Sequence, residues 1–129
     1  MNDMKDKSFV RFDRLADGMP GGFFVYRADD GEELIYANQV LADIFGCGNV
    51  DELMTYIGGS FRGLVHPDDY AKCEKNIDTQ IESNDAHFDN VEYRIIRRDG
   101  SVRWLLDYGR LLNTEEDGPL FFVFVADIT

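Results

Sequence analysis

Cysteine and histidine are scarce in this chain of 129 residues, which contains two of each. Cys47 and Cys73 form no Cys-x-x-Cys motif, and His66 and His87 belong to no cluster of metal ligands. A zinc module needs grouped ligands, and a disulfide framework needs more cysteines. The sequence therefore excludes both, and it predicts two reduced thiols in a cytoplasmic domain.

Long hydrophobic runs and an excess of basic residues are missing as well. The longest apolar run, Leu120 to Ala126, has seven residues, whereas a membrane helix needs about 20. With 13 basic and 25 acidic residues the net charge is −12, which repels phosphate backbones and anionic lipids. We expect no nucleic-acid binding and no direct membrane contact, while an anchor elsewhere in the parent protein stays open.

Proline and biased repeats are rare, whereas aromatic residues are plentiful. The chain has 3 prolines but 10 phenylalanines, 6 tyrosines and 1 tryptophan, and 44% of its residues are hydrophobic. Such a composition argues against disorder and supplies a core for one compact domain.

No set of residues with a catalytic pattern emerges. The stretch Gly58 to Arg62 lacks the last glycine of Gly-x-Ser-x-Gly, and the acidic pairs lie in predicted turns or caps. His66-Pro67-Asp68-Asp69 is explained by a helix start, and His87-x-Asp89 by loop polarity. The sequence therefore predicts no enzyme in this chain.

The hydrophobic pattern predicts two strands, several short helices and then three strands. The strand segments are Phe23–Arg27, Leu34–Ala37, Phe88–Arg97, Val102–Leu112 and Leu120–Ile128. Between them, an apolar stripe from Tyr70 to Ile81 predicts a long helix that begins after His66. Antiparallel hairpins at both ends with helices between them predict an α+β domain.

The start of the chain predicts a separate element. Phe9, Phe12 and Leu15 recur every three residues behind Ser8, which is typical of a short amphipathic helix. We therefore divide the chain into an N-terminal cap helix, residues 1–17, and a domain, residues 18–129.

Aromatic and other apolar residues occur on both alternation faces of the predicted strands. A sheet with helices on one side needs only one apolar face. The second face should therefore be covered by the N-terminal helix, by another subunit, or by both.

In its order and spacing of motifs the chain resembles a PAS domain, from about Leu15 to Thr129. Ile35-Tyr36-Ala37-Asn38 resembles the second strand and the following helix start, and His66-Pro67-Asp68-Asp69 resembles the start of the long helix. Glu92-Tyr93-Arg94 with the turn Arg98 to Ser101 resembles the third and fourth strands. Asp127-Ile128-Thr129 resembles the terminal triplet that leads into an output linker.

The resemblance implies a five-stranded antiparallel sheet in the order 2-1-5-4-3 and a sensory or dimerisation module. Bacterial relatives commonly pass their signal to a histidine kinase, a diguanylate cyclase or a phosphodiesterase, here expected beyond Thr129. Asp127, Ile128 and Thr129 would relay the signal. A homodimer and a small-molecule ligand are the implied partners.

The register of the hairpin that the third and fourth strands form decides which side chains face inward. A two-residue turn would pair Ile95 with Trp104, whereas the family pattern favours a bulged turn that pairs Ile95 with Leu105. The pocket lining is then predicted to be Phe24, Tyr26, Tyr36, Ile44, Val91, Tyr93, Ile95, Leu105, Phe121, Val123 and Val125. The dimer or cap face is predicted to be Phe9, Phe12, Trp104, Tyr108, Phe122 and Phe124. Asp107 also points inward, as a polar ligand contact or as a sign of a wrong register.

The identity of a cofactor stays open. Flavin-binding relatives use a cysteine in an Asn-Cys-Arg-Phe-Leu context, which neither Cys47 nor Cys73 has, and haem-binding relatives use a histidine on a pocket helix. Flavin and haem are therefore not expected. A small organic ligand and a filled, ligand-free core are equally compatible with the inward residues.

Overall fold

Five strands form one antiparallel sheet in the spatial order β2-β1-β5-β4-β3, with β5 at its centre. The computed structural model describes residues 21–129. The strands are β1 Gly22–Arg27, β2 Leu34–Ala37, β3 Phe88–Ile96, β4 Val102–Thr114 and β5 Gly118–Asp127. The described helices are α1 Gln39–Ile44, α2 Val50–Ile57, α3 Phe61–Leu64 and α4 Pro67–Ser83. The predicted α+β class and strand order are confirmed.

The predicted cap helix of residues 1–17, with Phe9 and Phe12, lies outside the described residues. From residue 21 onward, no helix is both long and apolar enough to cross a membrane.

The long helix α4 begins as the sequence predicts. The Nδ1 atom of His66 accepts a hydrogen bond from the backbone N–H of Asp68 (3.0 Å), and Pro67 occupies the first turn. Asp69 accepts from the guanidinium of Arg94 on β3, and the Arg94 Nη2 to Asp69 Oδ1 distance is 2.6 Å. His66 thus caps the start of α4, and Asp69 fastens the helix to the sheet.

All four described helices bury their apolar side chains against the same face of the sheet. Leu41 of α1, Leu53 of α2, Phe61 of α3 and Ile77 of α4 belong to one buried cluster with the inward residues of the strands. This face is called the inner face below, and the opposite face is called the outer face.

The hairpin between β3 and β4 has a different register from the expected one. Ile95 lies opposite Arg103, and Leu105 lies opposite Tyr93, so the predicted Ile95–Leu105 pair is wrong. Because the difference is two residues, each side chain keeps its face. Tyr93, Ile95 and Leu105 are fully buried on the inner face.

The turn itself explains the register. The backbone N–H of Arg97 donates to the carbonyl oxygen of Ser101 (2.7 Å), which leaves a three-residue loop. Gly100 in this loop has φ 89°, a conformation that glycine adopts without steric cost.

Candidate functional site

Nine of the eleven predicted pocket residues lie together in the inner-face cluster. They are Phe24, Tyr26, Val91, Tyr93, Ile95, Leu105, Phe121, Val123 and Val125. Ile44 is half-buried and packs against the same cluster. The side chains that the strand alternation predicted to face inward therefore lie together in one cluster.

Tyr36 is the exception, because it lies on the outer face. The pairing of β1 with β2 is irregular between Val25 and Tyr26, where Tyr26 lies opposite Leu34 but Val25 lies opposite Tyr36. This irregularity places Ile35 and Tyr36 on the same side, against the buried outer cluster. The prediction that Tyr36 lines the pocket is wrong for this reason.

Aromatic rings fill the inner face next to β1. The ring of Tyr26 is stacked on Phe61 with centroids 4.6 Å apart, and on Phe121 at 5.0 Å. The ring of Tyr93 meets Phe61 edge-on at 5.9 Å. Side chains of the domain itself therefore occupy this part of the interior.

A cavity of about 600 Å³ opens at the end of this aromatic stack, within the range of about 300–1,000 Å³ typical of small-molecule sites. Of the predicted pocket residues, only Tyr26 and Phe121 line it. The other lining residues come from the β1–β2 turn, α3, α4 and β4: Ala28, Asp29, Asp30, Glu32, Arg62, Tyr70, Glu74, Asp78, Ile81, Glu82 and Leu111. Six of them are carboxylates and one is a cation, so the cavity is strongly acidic.

Glu32 is the most buried carboxylate of this lining, with 8% of its surface exposed. Its backbone has φ 50°, a left-handed conformation that is uncommon for residues other than glycine. Two hydrogen bonds hold Glu32 in this conformation. The Asp29 carboxylate accepts from the Glu32 N–H (3.0 Å), and the Glu32 carbonyl oxygen accepts from the Phe61 N–H (3.0 Å). Residues held in such conformations often belong to functional sites.

The Glu32 side chain takes part in a small polar network. Its Oε1 atom accepts a hydrogen bond from the hydroxyl of Tyr70 (2.7 Å). Burial, and then the neighbouring carboxylate of Glu74, raises the pKa of Glu32 to about 8. The carboxyl groups of Glu32 and Glu74 are hydrogen-bonded to each other, and the proton that Glu32 holds supplies this bond. The sequence analysis does not predict a role for Glu32, because a glutamate beside Gly31 is typical of an ordinary turn.

A second pair of carboxylates lies deeper, on β3 and β4. Asp89 and Asp107 are 3% and 1% exposed. The hydroxyl of Tyr93 donates to Asp107 Oδ2 (2.7 Å), while the Oδ1 atom of each aspartate has no hydrogen-bond partner among the described residues. Burial raises the pKa of both, and the carboxylate of Asp89 raises the pKa of Asp107 further.

Both aspartates of this pair occupy buried strand positions on the inner face of the sheet. Asp107 faces the interior, in the middle of the inner-face cluster, although the expected hairpin pairing was wrong. Asp89 belongs to β3 and faces Gly109 across the hairpin. The interpretation of His87-x-Asp89 as loop polarity is therefore wrong for Asp89, because a buried strand position holds it.

The outer face carries the residues predicted for a dimer or cap. Trp104 and Tyr108 of β4 are 43% and 52% exposed, whereas Phe122 is buried and Phe124 is half-buried. Phe124 packs on Phe23, with ring centroids 4.6 Å apart. The outer face is thus apolar along β1, β4 and β5, and its β4 part is open in the described chain.

The three C-terminal residues continue along β4. Ile128 donates its backbone N–H to the carbonyl of Trp104 (2.9 Å), and the Thr129 hydroxyl oxygen accepts from the N–H of Trp104 (2.8 Å). The carboxylate of Asp127 contacts the guanidinium of Arg103 at 2.5 Å. The predicted relay residues are therefore fastened to the strand that carries Leu105 and Asp107.

Neither thiol is activated by its neighbours in the described part of the chain. Cys47 and Cys73 are free and buried, and burial raises the pKa of both thiols. Within residues 21–129, no three His, Cys, Asp or Glu side chains are grouped so as to hold one metal ion.

The sheet order and the short helices on one face together define the PAS type of sensory fold. A family model described as the PAS fold matches residues 34–126, and the chain therefore belongs to this family. No curated protein of similar sequence was found.

Solved structures agree with this assignment. A PAS domain from Colwellia psychrerythraea has a TM-score of 0.71 and 19% identity, covering 95% of this chain and 98% of the other. A sensory box histidine kinase/response regulator from Burkholderia thailandensis has a TM-score of 0.64 and 23% identity, covering 92% and 85%. A LOV protein from Rhodobacter sphaeroides has a TM-score of 0.73 and 15% identity, covering 99% and 69%. At these identities the likeness concerns the fold.

Proposed function

We propose that this domain is a regulatory sensor without catalytic activity of its own. It responds to a small ligand or to the state of a partner, and it passes the change to an output domain of the parent protein. A histidine kinase, or a diguanylate cyclase or phosphodiesterase, is the output type that we expect beyond Thr129. The similarity to a sensory box histidine kinase/response regulator supports the first of these.

One observation carries this proposal: the C-terminal triplet is bonded to the strand that lines the interior. Thr129 and Ile128 bond to the backbone of Trp104, and the next residue along β4, Leu105, is fully buried in the core. A change of packing at Leu105 therefore has a direct mechanical connection to the chain end. A ligand shifts the output only by its different affinities for the two packing states.

The full-length parent protein tests the relay without knowledge of the signal. Val123→Ala, a mild deletion in the inner-face cluster, serves as an artificial signal and should change the basal output activity. Asp127→Ala should abolish this response, because it releases Arg103 and the Thr129 N–H, which donates to Asp127 Oδ1 (3.0 Å). Asp127→Ala should remain folded, since such a half-exposed ion pair contributes only about 0.2–1 kcal/mol.

The matched control is Asp51→Ala, which removes an exposed acid from the first turn of α2. An output response to Val123→Ala that is equally large with and without Asp127 would contradict the relay.

A ligand-free dimerisation module is the second candidate, and the open part of the outer face favours it. Val102, Trp104, Tyr108 and Leu112 lie on the outer face of β4 together with Leu106 and Arg110, and each of these four is between 37% and 52% exposed. A second copy of the chain would bury this apolar stripe. Native mass spectrometry separates the candidates, because a stable dimer without any co-purifying small molecule favours the second, and Trp104→Glu should dissociate it.

A further inference from the structure

We infer that Asp89 and Asp107 form a proton-binding switch inside the domain, and that the signal this module senses is a change of pH. This inference rests on the proposed sensory function, because it names what the module would respond to. Such a response needs no organic ligand, since the two carboxyl groups themselves bind the proton.

The register of the β3–β4 hairpin brings the two carboxyl groups together. Asp107 lies opposite Val91 and Asp89 lies opposite Gly109, so the two aspartates are diagonal neighbours on the inner face. Gly109 leaves room for this approach, because a Cβ atom there would lie 2.6 Å from Asp89 Oδ2. The Asp89 carboxyl group thus occupies the space above the glycine, beside Asp107.

The surroundings of the pair make two negative charges there costly. Asp89 and Asp107 are 3% and 1% exposed, and Val91 and Val125, which lie opposite Asp107 on the two neighbouring strands, belong to the inner-face cluster. None of the ion pairs within residues 21–129 includes either aspartate. Two close carboxyl groups that are buried without a cation therefore retain a proton.

A retained proton also completes the hydrogen bonding of the pair. With both acids ionised, the two Oδ1 atoms have no hydrogen-bond partner in the described part of the chain. A proton on either acid supplies the missing donor, and the two carboxyl groups are then hydrogen-bonded to each other. The other oxygen of Asp107, Oδ2, accepts from the hydroxyl of Tyr93 (2.7 Å). The pair is thus built to hold a proton.

The other titratable groups around the pair are Tyr26 of β1, Tyr93 of β3 and Cys73 of α4. Burial raises the pKa of all three, so they stay neutral while the aspartates titrate. The residues of β5 that lie opposite Asp107 and its neighbour on this face are valines. Glu32 and Glu74 also act on Tyr26, so a response of the aspartates has to be separated from theirs.

The two aspartates lose their protons in separate steps. Burial raises the pKa of Asp89 from 3.8 to about 6, and it raises the pKa of Asp107 well above 3.8. Both acids are therefore protonated below about pH 6, and one shared proton remains between them above it. A rise in pH thus creates one negative charge in the core, and a fall in pH removes it.

This charge arises beside the stretch of β4 that holds the chain end. Asp107 is two residues from Leu105, and Trp104 bonds through its backbone to Ile128 and Thr129. A proton shifts the packing of β4 as far as two packing states differ in their affinity for it. We therefore expect the geometry at the C-terminal triplet to change with the charge of the pair.

An NMR titration of the full chain, with carbon-13 in the aspartate carboxyl groups, tests the proton site. Asp89→Asn and Asp107→Asn identify the two buried signals. In the wild type the Asp89 signal should have its midpoint at about 6 instead of 3.8, and the Asp107 signal a higher one. In Asp89→Asn the Asp107 midpoint should fall, because the neighbouring charge that raises it is gone.

The fluorescence of Trp104, the single tryptophan of the chain, tests the connection to the chain end. Its emission should change between about pH 5 and about pH 7, with the midpoint of the Asp89 signal. The double variant Asp89→Asn/Asp107→Asn keeps the shape of both side chains, and it should abolish this change. Should the double variant not fold, Asp89→Asn alone should displace the midpoint.

Three matched controls should leave the Trp104 response in place. Glu32→Gln removes the acid beside the cavity that shares a proton with Glu74. Histidine ordinarily changes its charge in the same pH range, so His66→Asn and His87→Asn test the two histidines. Asparagine can replace His66 as the cap of α4, and it tolerates the positive φ of His87.

Three results would overturn the inference: ordinary midpoints for both aspartates, a Trp104 response that persists in the double variant, or loss of this response in a histidine control. Each is distinguishable from failure of the proposed function. The response to Val123→Ala through Asp127 is measured at one pH, so it can persist when the pair does not switch.

Discussion

Replacement of Asp107 by asparagine tests whether the buried acid pair holds a proton in the folded domain. Asp107 and Asp89 lie almost wholly out of contact with solvent, and each has an oxygen atom without a hydrogen-bond partner among the described residues. Burial raises the pKa of Asp89 from 3.8 to about 6, and it raises the pKa of Asp107 well above 3.8. Ionisation of the pair is thus costly in the folded state.

The sign of the resulting pH dependence follows from proton linkage. A raised pKa means that the folded state binds the proton more tightly than the unfolded chain does, so stability falls as pH rises between the two pKa values. For Asp89 this interval runs from 3.8 to about 6. At about 1.36 kcal/mol per pKa unit, roughly 2 to 3 kcal/mol is lost across it. Asp107 acts in the same direction, over an interval that extends to higher pH.

Asp107→Asn should remove most of this loss. The amide oxygen can still accept the hydroxyl hydrogen of Tyr93, which now bonds to Asp107 Oδ2. The amide nitrogen can donate to the unpaired oxygen of Asp89, and the repulsion between two negative charges disappears. We therefore expect the variant to be more stable than the wild type by about 1 to 3 kcal/mol at about pH 8.

Urea unfolding measured from about pH 4 to about pH 8 gives the free energy of unfolding at each pH. The wild type should lose stability across this range, and the Asp107→Asn curve should be flatter. Asp85→Asn is the control, because Asp85 is exposed in the loop before β3 and the substitution changes the net charge equally. The reasoning is refuted if Asp107→Asn is less stable than the wild type at the alkaline end with an unchanged slope.

Two further substitutions test the packing around the same strands. Gly109→Ala should destabilise the domain by about 1–3 kcal/mol in thermal unfolding, because a Cβ atom there would lie 2.6 Å from Asp89 Oδ2. Equal stability of this variant would show that Asp89 can move aside without cost. Leu105→Ala, at a fully buried position, should cost about 2–5 kcal/mol in urea unfolding. The same change at Leu112, which is 37% exposed, should cost less than about 1 kcal/mol, and a similar loss at both would contradict the assigned faces.

The strands and the long helix could be predicted because their signals are local. The two-residue alternation from Phe88 and the apolar stripe of α4 each follow from one element facing one core. Leu34–Ala37 begins and ends where the sequence predicted, and the other strands differ by one or two residues at their ends.

Two errors have a common physical origin in backbone irregularities. The bulge in the β1–β2 pair turned Tyr36 to the outer face, and the three-residue loop around Gly100 shifted the β3–β4 pairing by two positions. The alternation pattern of a sequence does not reveal where one extra residue is inserted. The shift in the β3–β4 pairing left every side chain on its predicted face, whereas the bulge moved Tyr36 to the opposite face.

The acidic site was the part that the sequence could not reveal. Glu32, Glu74, Asp89 and Asp107 are distant in sequence, and nothing in their local context separates them from the many surface acids of this chain. Only the fold brings a turn, a helix and two strands together around Tyr26. Burial of a carboxylate depends on its neighbours in the tertiary structure, so a local sequence pattern cannot reveal it.

The position of Asp107 on β4 connects the buried acid pair with the C-terminal triplet. Asp107 lies opposite Val125 on β5, and Leu105 lies opposite Asp127, the first relay residue. The gain or loss of a proton at Asp107 would change the charge two residues from Leu105 on the same strand. Because Trp104, next to Leu105, bonds to both Ile128 and Thr129, the charge state of the interior and the geometry of the terminus depend on the same stretch of β4. Substitutions at Asp107 should therefore alter the basal output of the parent protein as well as its stability, whereas Asp85→Asn should alter neither.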